Sequence, residues 1–439
     1  MHFHPGKLIL ALLILFLGIY AMPQLVSGTN LVDSIELRTF LAMIFICICA
    51  ALAGLMFLDD LTGLDRKIRD AAGSPVFVRV GFSLLAISTL LLIAFMIPWN
   101  DENSNVETAR YLWDHGLRSY FNNYTEINQW LGRHHPPLLV LFYGLFYKLT
   151  GFSLIAGRLL NFVFALGAAV FYYKWIRRLT DEAIAGMSMI TLAFVPMWAF
   201  SSASALLDMP FTFLFAGALY YFDGYIGTAK TRYALIAGGF ALVAILSRYN
   251  GLFLYPIWLV TLLADKGSRG LLKRPATYLP VLITAVLSLP WLALAAYKGT
   301  LLVQITRLSQ FLFVAGRSGG WWYLTEVLLI LFPIMFGVFN LPLWLFGAAS
   351  YRKIMAPETK RLLAALITYT LLIAFTLPNP RYVIPAIPML AALASVGVWR
   401  IAAAGKGAAT VLAIHGVCAI AFLFFYTYGT AQKWFYIFY

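Results

Sequence analysis

The chain has 439 residues, of which 62% are hydrophobic and only 11% charged, with a mean hydropathy of +0.83. A soluble surface needs roughly a quarter of residues charged, so this composition excludes a soluble fold and indicates an all-α polytopic membrane protein. The formal net charge of +14 would suit a nucleic-acid binder, but no basic arm or aromatic-basic motif accompanies it, and no nucleic-acid partner is expected.

A bilayer core takes about 20 apolar residues per helix. The first run, "LILALLILFLGIYAM", has no small-residue cleavage site before "PQLVSGTN" and reads as a retained anchor at 7–26. Further helices are predicted at 38–58, 77–98, 154–174, 184–203, 209–226, 233–247, 252–265, 276–296, 324–349, 362–377, 382–402 and 408–428, thirteen spans in all. Cys47, Cys49 and Cys418 fall inside apolar runs, where thiols act as small buried hydrophobes and report no redox compartment. "SRYNG" splits the run from 233 to 265 into a hairpin with polar groups at its tip.

Alternate loops are basic: Arg66, Lys67 and Arg69, then Lys174, Arg177 and Arg178, then Lys230 and Arg232, then Lys266 to Arg274, then Arg352 to Arg361, then Lys406. By the positive-inside rule these loops are cytoplasmic, which puts the N-terminus inside and the C-terminus outside. The longest outer loop, 99–153, opens on Asp101-Glu102. Within it, "ETARYLWDHGLRSYF" sets Ala109, Leu112 and Trp113 on one helical side and Glu107, Arg110 and Asp114 on the other, the pattern of a helix lying in the interface. "PPLLVLFYGLFYKLTG" follows with about a dozen apolar residues, too few to span, and is read as a second juxtamembrane helix.

Taken singly, each polar residue on this outer face has a plain explanation. Asn100-Asp101 could cap a helix, His134 and His135 could pack on the adjoining prolines, Asp208 could be an N-cap, and Arg381 could be a snorkelling anchor. All of them fall on one membrane face, together with Arg248 and Tyr249. Charges at membrane depth are costly and tend to line a cavity or pair with one another.

In order, "DENSN...ARYLWDHG", "HHPPLLVLFYGLFYKLTGFSLIAGRLLN", "ALLDMPFTFLFAGALYYF", "SRYNGLFLYP" and "NPRYVIPAIPMLAAL" resemble the GT-C membrane glycosyltransferases, nearest the branch of protein O-mannosyltransferases and the lipid A aminoarabinose transferase. The resemblance covers about 77–403. It implies a sugar donor carried on polyprenyl phosphate, transfer with inversion, and Asp101 as the catalytic acid-base residue with Glu102 beside it. The chain departs from that pattern in three ways. Two helices precede the usual first span, polar "NSN" replaces an aromatic residue after the Asp-Glu pair, and no soluble C-terminal domain is expected. The implied organisation is two added helices at 1–76, a catalytic core at 77–403, and a last helix with a short outer tail at 404–439.

The expected chemistry follows. An acceptor hydroxyl or amine attacks the anomeric carbon, Asp101 takes its proton, and cations aimed at the departing phosphate stabilise its growing charge. Arg381 is the first choice for that role and Arg248 the second, because the guanidinium fork suits phosphate oxygens. His134, His135, Asp208, Tyr249 and Tyr382 complete the donor-binding set. The loop 297–323, with Arg317, Trp321 and Trp322, is a candidate lid, although interfacial anchoring explains the tryptophans equally well. No HExxH or DxD spacing supports a metal; Asp101, Asp208 and a histidine leave a divalent ion open, and no other cofactor is expected. A lipid or cell-envelope glycan acceptor at a prokaryotic plasma membrane is preferred over a protein acceptor. The alternative is a secondary transporter or lipid flippase, which would place its charges near the midplane of broken helices.

Overall fold

In lipid a chain must satisfy its own backbone hydrogen bonds, so long apolar stretches become helices. The computed structural model describes residues 71, 74–95, 98, 100–127, 136, 138–193, 195–297, 359–374 and 380–403, and these hold no strand. In chain order the helices are α1 (Pro75–Phe95), α2 (Asn100–Ile127), α3 (Leu138–Thr150), α4 (Leu154–Leu179), α5 (Glu182–Ala193), α6 (Pro196–Ala203), α7 (Asp208–Thr228) and α8 (Thr231–Ile245). They continue with α9 (Leu254–Ala264), α10 (Leu279–Tyr297), α11 (Thr359–Ala374) and α12 (Ile387–Ala403). Short 3-10 turns at Tyr249–Phe253, Arg269–Lys273, Pro275–Tyr278 and Pro380–Ala386 join several of them.

Among the described residues, Pro75–Ala94, Leu154–Leu179 and Pro275–Tyr297 are long and apolar enough to cross a membrane. The expected helices 7–26, 38–58, 324–349 and 408–428 lie outside the described residues, as do the division 404–439 and nearly all of 1–76. The thirteen-span count therefore rests on the sequence.

Two expectations need correction. The predicted single helix 184–203 is two helices, Glu182–Ala193 and Pro196–Ala203, and the pair is bent by 71°. Pro196 has no N–H to donate and holds Val195 extended (φ −85, ψ 113), which ends one helix and starts the next. Second, the helix expected within 99–153 starts earlier than its pattern suggested. Asp101-Glu102 sits in the first turn of α2, which begins at Asn100 rather than near Glu107 and kinks at Gly116 (φ 75, ψ 165), where a side chain would be strained.

The apolar side of α2 is as the periodicity predicted: Ala109 and Leu112 pack with Leu139, Val140, Tyr143 and Tyr147 of α3, while Glu107, Arg110 and Asp114 are exposed. The Lys148 ammonium stands 3.9 Å from the Trp113 ring centre and joins the two helices at their edge. With 13 residues, α3 is about 20 Å long, too short to span.

Helix α7 forms the centre of the bundle. It packs against α8, α4 and α9 and is buried on nearly every side, from Met209 and Phe215 to Phe222 and Tyr225. Its 21 residues extend about 30 Å, the thickness of a hydrocarbon core, and it carries Asp208 at one end and Asp223 near the other. Helix α12 packs against α5, where the hydroxyls of Thr191 and Ser395 lie 3.3 Å apart.

Gly157 lets α3 sit down on α4. A Cβ at this position would collide with the Tyr147 hydroxyl and approach the Ala205 Cβ to 2.9 Å. Gly157→Val is expected to cost about 1–3 kcal/mol by overpacking. Thermal unfolding of the detergent-solubilised protein should show a Tm lowered by several degrees, and an unchanged Tm would mean that α3 does not pack here.

Candidate active site

The turn at 204–207, between α6 and α7, is completely buried, so its backbone donors and acceptors need partners inside the protein. Side chains from two other helices supply them. The Ala205 N–H donates to Glu102 Oε1 at 2.6 Å, and the Ala205 carbonyl accepts from Asn105 Nδ2 at 3.2 Å. Asn161 Nδ2 donates to the carbonyls of Leu206, at 2.6 Å, and Ser204, while its Oδ1 accepts from the Tyr143 hydroxyl. Glu102 and Asn105 lie three apart on α2, and Arg158 and Asn161 lie three apart on α4, so each pair shares a helix face.

Arg158 and Glu102 form a two-pronged ion pair, Nε to Oε1 at 3.0 Å and Nη2 to Oε2 at 2.9 Å, with side chains 4% and 0% exposed. Arg158 Nη1 also donates to the Ile93 carbonyl of α1 at 3.4 Å. Glu102 thus ties the start of α2 to α4 and to the buried turn, and Arg158 adds the end of α1. A paired, buried carboxylate with its oxygens engaged this way serves position more readily than proton transfer.

The same turn leads into a second ionic cluster. Asp208, 1% exposed, accepts from Arg248 Nη1 through Oδ1 at 2.6 Å, and Arg381 Nη1 stands 3.9 Å from Oδ2. Asp208 Oδ2 and Arg248 Nε are buried without hydrogen-bond partners. Two guanidinium groups thus face the Asp208 carboxylate from different parts of the chain. Arg381 and Tyr382 are held in place because the Tyr369 hydroxyl donates to the Tyr382 carbonyl at 2.5 Å and the Tyr172 hydroxyl to the Pro385 carbonyl at 2.7 Å. The Arg248 guanidinium lies 5.6 Å from the centre of the Tyr382 ring.

Two phenols, Tyr143 and Tyr147, border these clusters, and a third, Tyr249, follows Arg248 in the chain. Burial, followed by the negative potential of Tyr147, Asp208 and Glu102, holds the Tyr143 phenol well above its ordinary range. Burial and then Glu102 do the same for Tyr147. Burial pushes Tyr249 up to about 12, opposed by its hydrogen bond with Trp291. All three remain neutral at ordinary pH.

Of the residues singled out in the sequence, Asp208, Arg248, Arg381 and Tyr382 come together, with Tyr249 next to Arg248 in the chain. Glu102 joins the group through the turn that precedes Asp208. Asp101 occupies the same helical turn as Glu102, and its side chain lies outside the described set. His134, His135, Arg317, Trp321 and Trp322 lie outside the described residues. The simpler readings of two residues are overturned. The N-cap of α7 is Leu207, not Asp208, and Arg381 is 6% exposed, too buried to snorkel. Among the described residues, no group of three or more His, Cys, Asp or Glu side chains could hold a metal. Sequence reasoning missed Arg158, Asn105 and Asn161. The signal was present in "GRLLN", an arginine with an asparagine three residues on inside an apolar helix.

The helical architecture is similar in fold to the GT-C class of membrane glycosyltransferases. The chain is similar to ArnT from Cupriavidus metallidurans, solved bound to undecaprenyl phosphate, with a TM-score of 0.55 and 20% identity over 74% of this chain and 59% of that one. The apo form of the same protein gives 0.54 and 20% over the same shares. The archaeal oligosaccharyltransferase AglB from Archaeoglobus fulgidus, in complex with an inhibitory peptide and a dolichol-phosphate, gives 0.49 and 14% over 80% of this chain and 55% of that one. Residues 134–294 match the family described as dolichyl-phosphate-mannose-protein mannosyltransferase. No curated protein matches the chain. The resemblance read from its motifs, to the protein mannosyltransferase and aminoarabinose transferase branch, agrees with the family match over 134–294 and with the fold of ArnT. The chain spans under two thirds of the length of these solved relatives.

Proposed function

We propose that the protein is an inverting glycosyltransferase that moves a sugar from a polyprenyl-phosphate donor to a lipid or cell-envelope glycan acceptor on the outer face of a plasma membrane. The observation that carries this reading is the buried Asp208–Arg248–Arg381 cluster, in which two guanidinium groups converge and Arg248 Nε has no hydrogen-bond partner, beside the turn anchored by the helix that bears Asp101. Buried positive charge is costly unless compensated, and a phosphate provides that compensation through charge-assisted hydrogen bonds. Undecaprenyl phosphate bound to ArnT is consistent with such a donor.

In the proposed reaction an acceptor oxygen or nitrogen bonds to the anomeric carbon from the side opposite the phosphate, and Asp101 takes its proton. The bond from that carbon to the phosphate oxygen breaks, and polyprenyl phosphate leaves with the electron pair. Arg381 and Arg248 stabilise the charge that develops on the leaving group, and Tyr249 and Tyr382 border the sugar. Glu102, locked by Arg158, keeps the first turn of α2 in register with Asp208.

The bend between α5 and α6 is the kind of broken helix that transporters use. The ionic residues gather instead at helix ends, as a transferase meeting a lipid-borne substrate requires. The decisive experiment incubates the purified full chain with a polyprenyl-phosphate sugar and envelope lipid extract, then follows new glycosidic product and released polyprenyl phosphate by mass spectrometry. Arg381→Ala should reduce turnover about 100- to 1,000-fold, as expected for loss of one donor to a developing oxyanion. Solute accumulation in proteoliposomes with no new glycosidic bond would replace this reading with transport.

A further inference from the structure

Asp223, near the other end of α7, lies 15 residues and hence about 22 Å from Asp208. It too is clasped by two arginines. Arg178 of α4 donates through Nη1 to Asp223 Oδ2 at 3.2 Å and to the Tyr220 carbonyl at 3.1 Å, and its guanidinium lies 4.5 Å from the Tyr220 ring centre. Arg361 of α11 donates through Nη1 to Asp223 Oδ1 at 2.7 Å. The Thr359 hydroxyl donates to the Leu179 carbonyl at 2.8 Å, which brings the first turn of α11 to the last turn of α4. Lys360, exposed, stands between Thr359 and Arg361.

Two arginines thus hold one carboxylate with Lys360 next to Arg361 in the chain, Arg178 is a third exposed, and Arg361 Nε is buried without a hydrogen-bond partner. Such a cluster has both the charge surplus and the unused donor that a phosphate would take. Its surroundings specify where the phosphate comes from. Ile367 and Leu371, 49% and 54% exposed, follow Lys360 by 7 and 11 residues and so continue its face of α11 as an apolar stripe. A free anion has no use for that stripe, whereas the acyl chains of a lipid do.

We propose that the ends of α4, α7 and α11 form a binding site for an anionic phospholipid, its phosphate beside Arg178, Lys360 and Arg361 and its acyl chains along Ile367 and Leu371. The site lies at the opposite end of α7 from the proposed catalytic cluster and does not depend on the transferase reading.

Native mass spectrometry of the full chain in detergent, with phosphatidylglycerol or phosphatidylcholine added, tests this directly. The wild type should retain phosphatidylglycerol in clear preference to phosphatidylcholine. Lys360→Glu, which removes one positive charge and adds a negative one, should lower that retention by about tenfold or more, and Lys360→Ala by about fivefold. Arg232→Glu, an exposed cation at the same end of the bundle, should leave it unchanged. Wild-type retention in both Lys360 variants would overturn the site, as would an equal loss in Arg232→Glu, which would mean diffuse surface charge. A rise in Tm with inorganic phosphate as large as that with phosphatidylglycerol would overturn the lipid assignment.

Discussion

Arg158→Met is expected to destabilise the protein by about 3–5 kcal/mol, the cost of breaking a buried ion pair by removing one partner. Glu102 would remain within the protein without either of the two charge-assisted bonds, at 3.0 and 2.9 Å, that now offset its desolvation. The damage would spread, because Glu102 also accepts from the Ala205 N–H in a fully buried turn. Removing both charges is a different perturbation. In the double variant Glu102→Leu with Arg158→Met no uncompensated charge stays buried, and the remaining cost is chiefly the orphaned Ala205 N–H, about 1–3 kcal/mol. Denaturant or thermal unfolding of the four proteins in detergent, analysed as a double-mutant cycle, checks both statements. The double variant should be more stable than Arg158→Met alone. Additive losses would show that the pair is not the anchor described here.

Asp101→Asn should reduce transfer by about 10²- to 10⁴-fold, the usual contribution of one positioned base, and leave Tm within about a degree of wild type. The expectation rests on the roles of two adjacent carboxylates. Glu102 is engaged by Arg158 and Ala205, and by fixing the first turn of α2 it also fixes the backbone that carries Asp101. Glu102→Gln should therefore lose both stability and activity, whereas Asp101→Asn should lose activity alone. Release of polyprenyl phosphate from a purified lipid-linked sugar, measured beside Tm for each variant, separates the two. Full transfer by Asp101→Asn would remove it from the mechanism.

Much of the helix pattern was legible because lipid leaves the backbone one local solution. Runs such as 154–174 and 209–226 are recognisable by length alone, and the observed Leu154–Leu179 and Asp208–Thr228 extend them only at their polar ends. The hairpin about "SRYNG" was equally readable, since glycine and polar residues interrupt an otherwise over-long apolar run. The break between Ala193 and Pro196 was less so. A proline within an apolar stretch can kink a helix or end it, and the choice depends on what packs around it.

The candidate site divides along the same line. Asp208, Arg248 and Arg381 stand out in the sequence as charges in an apolar chain, since such residues are retained in lipid only when something compensates them. Arg158 and Asn161 do not stand out in the same way, because nothing local says that Arg158 meets Glu102, 56 residues earlier, or that Asn161 faces a buried turn more than 40 residues further along. Composition and hydrophobic run length, both local quantities, determined that this protein is a helical membrane bundle with its polar chemistry at helix ends. Which arginine meets which carboxylate was decided only by the tertiary packing that brings α2, α4, the turn at 204–207 and the segment Pro380–Ala386 together. Pairing energies depend on distance and burial between residues 40 to 173 positions apart, and no local pattern encodes them.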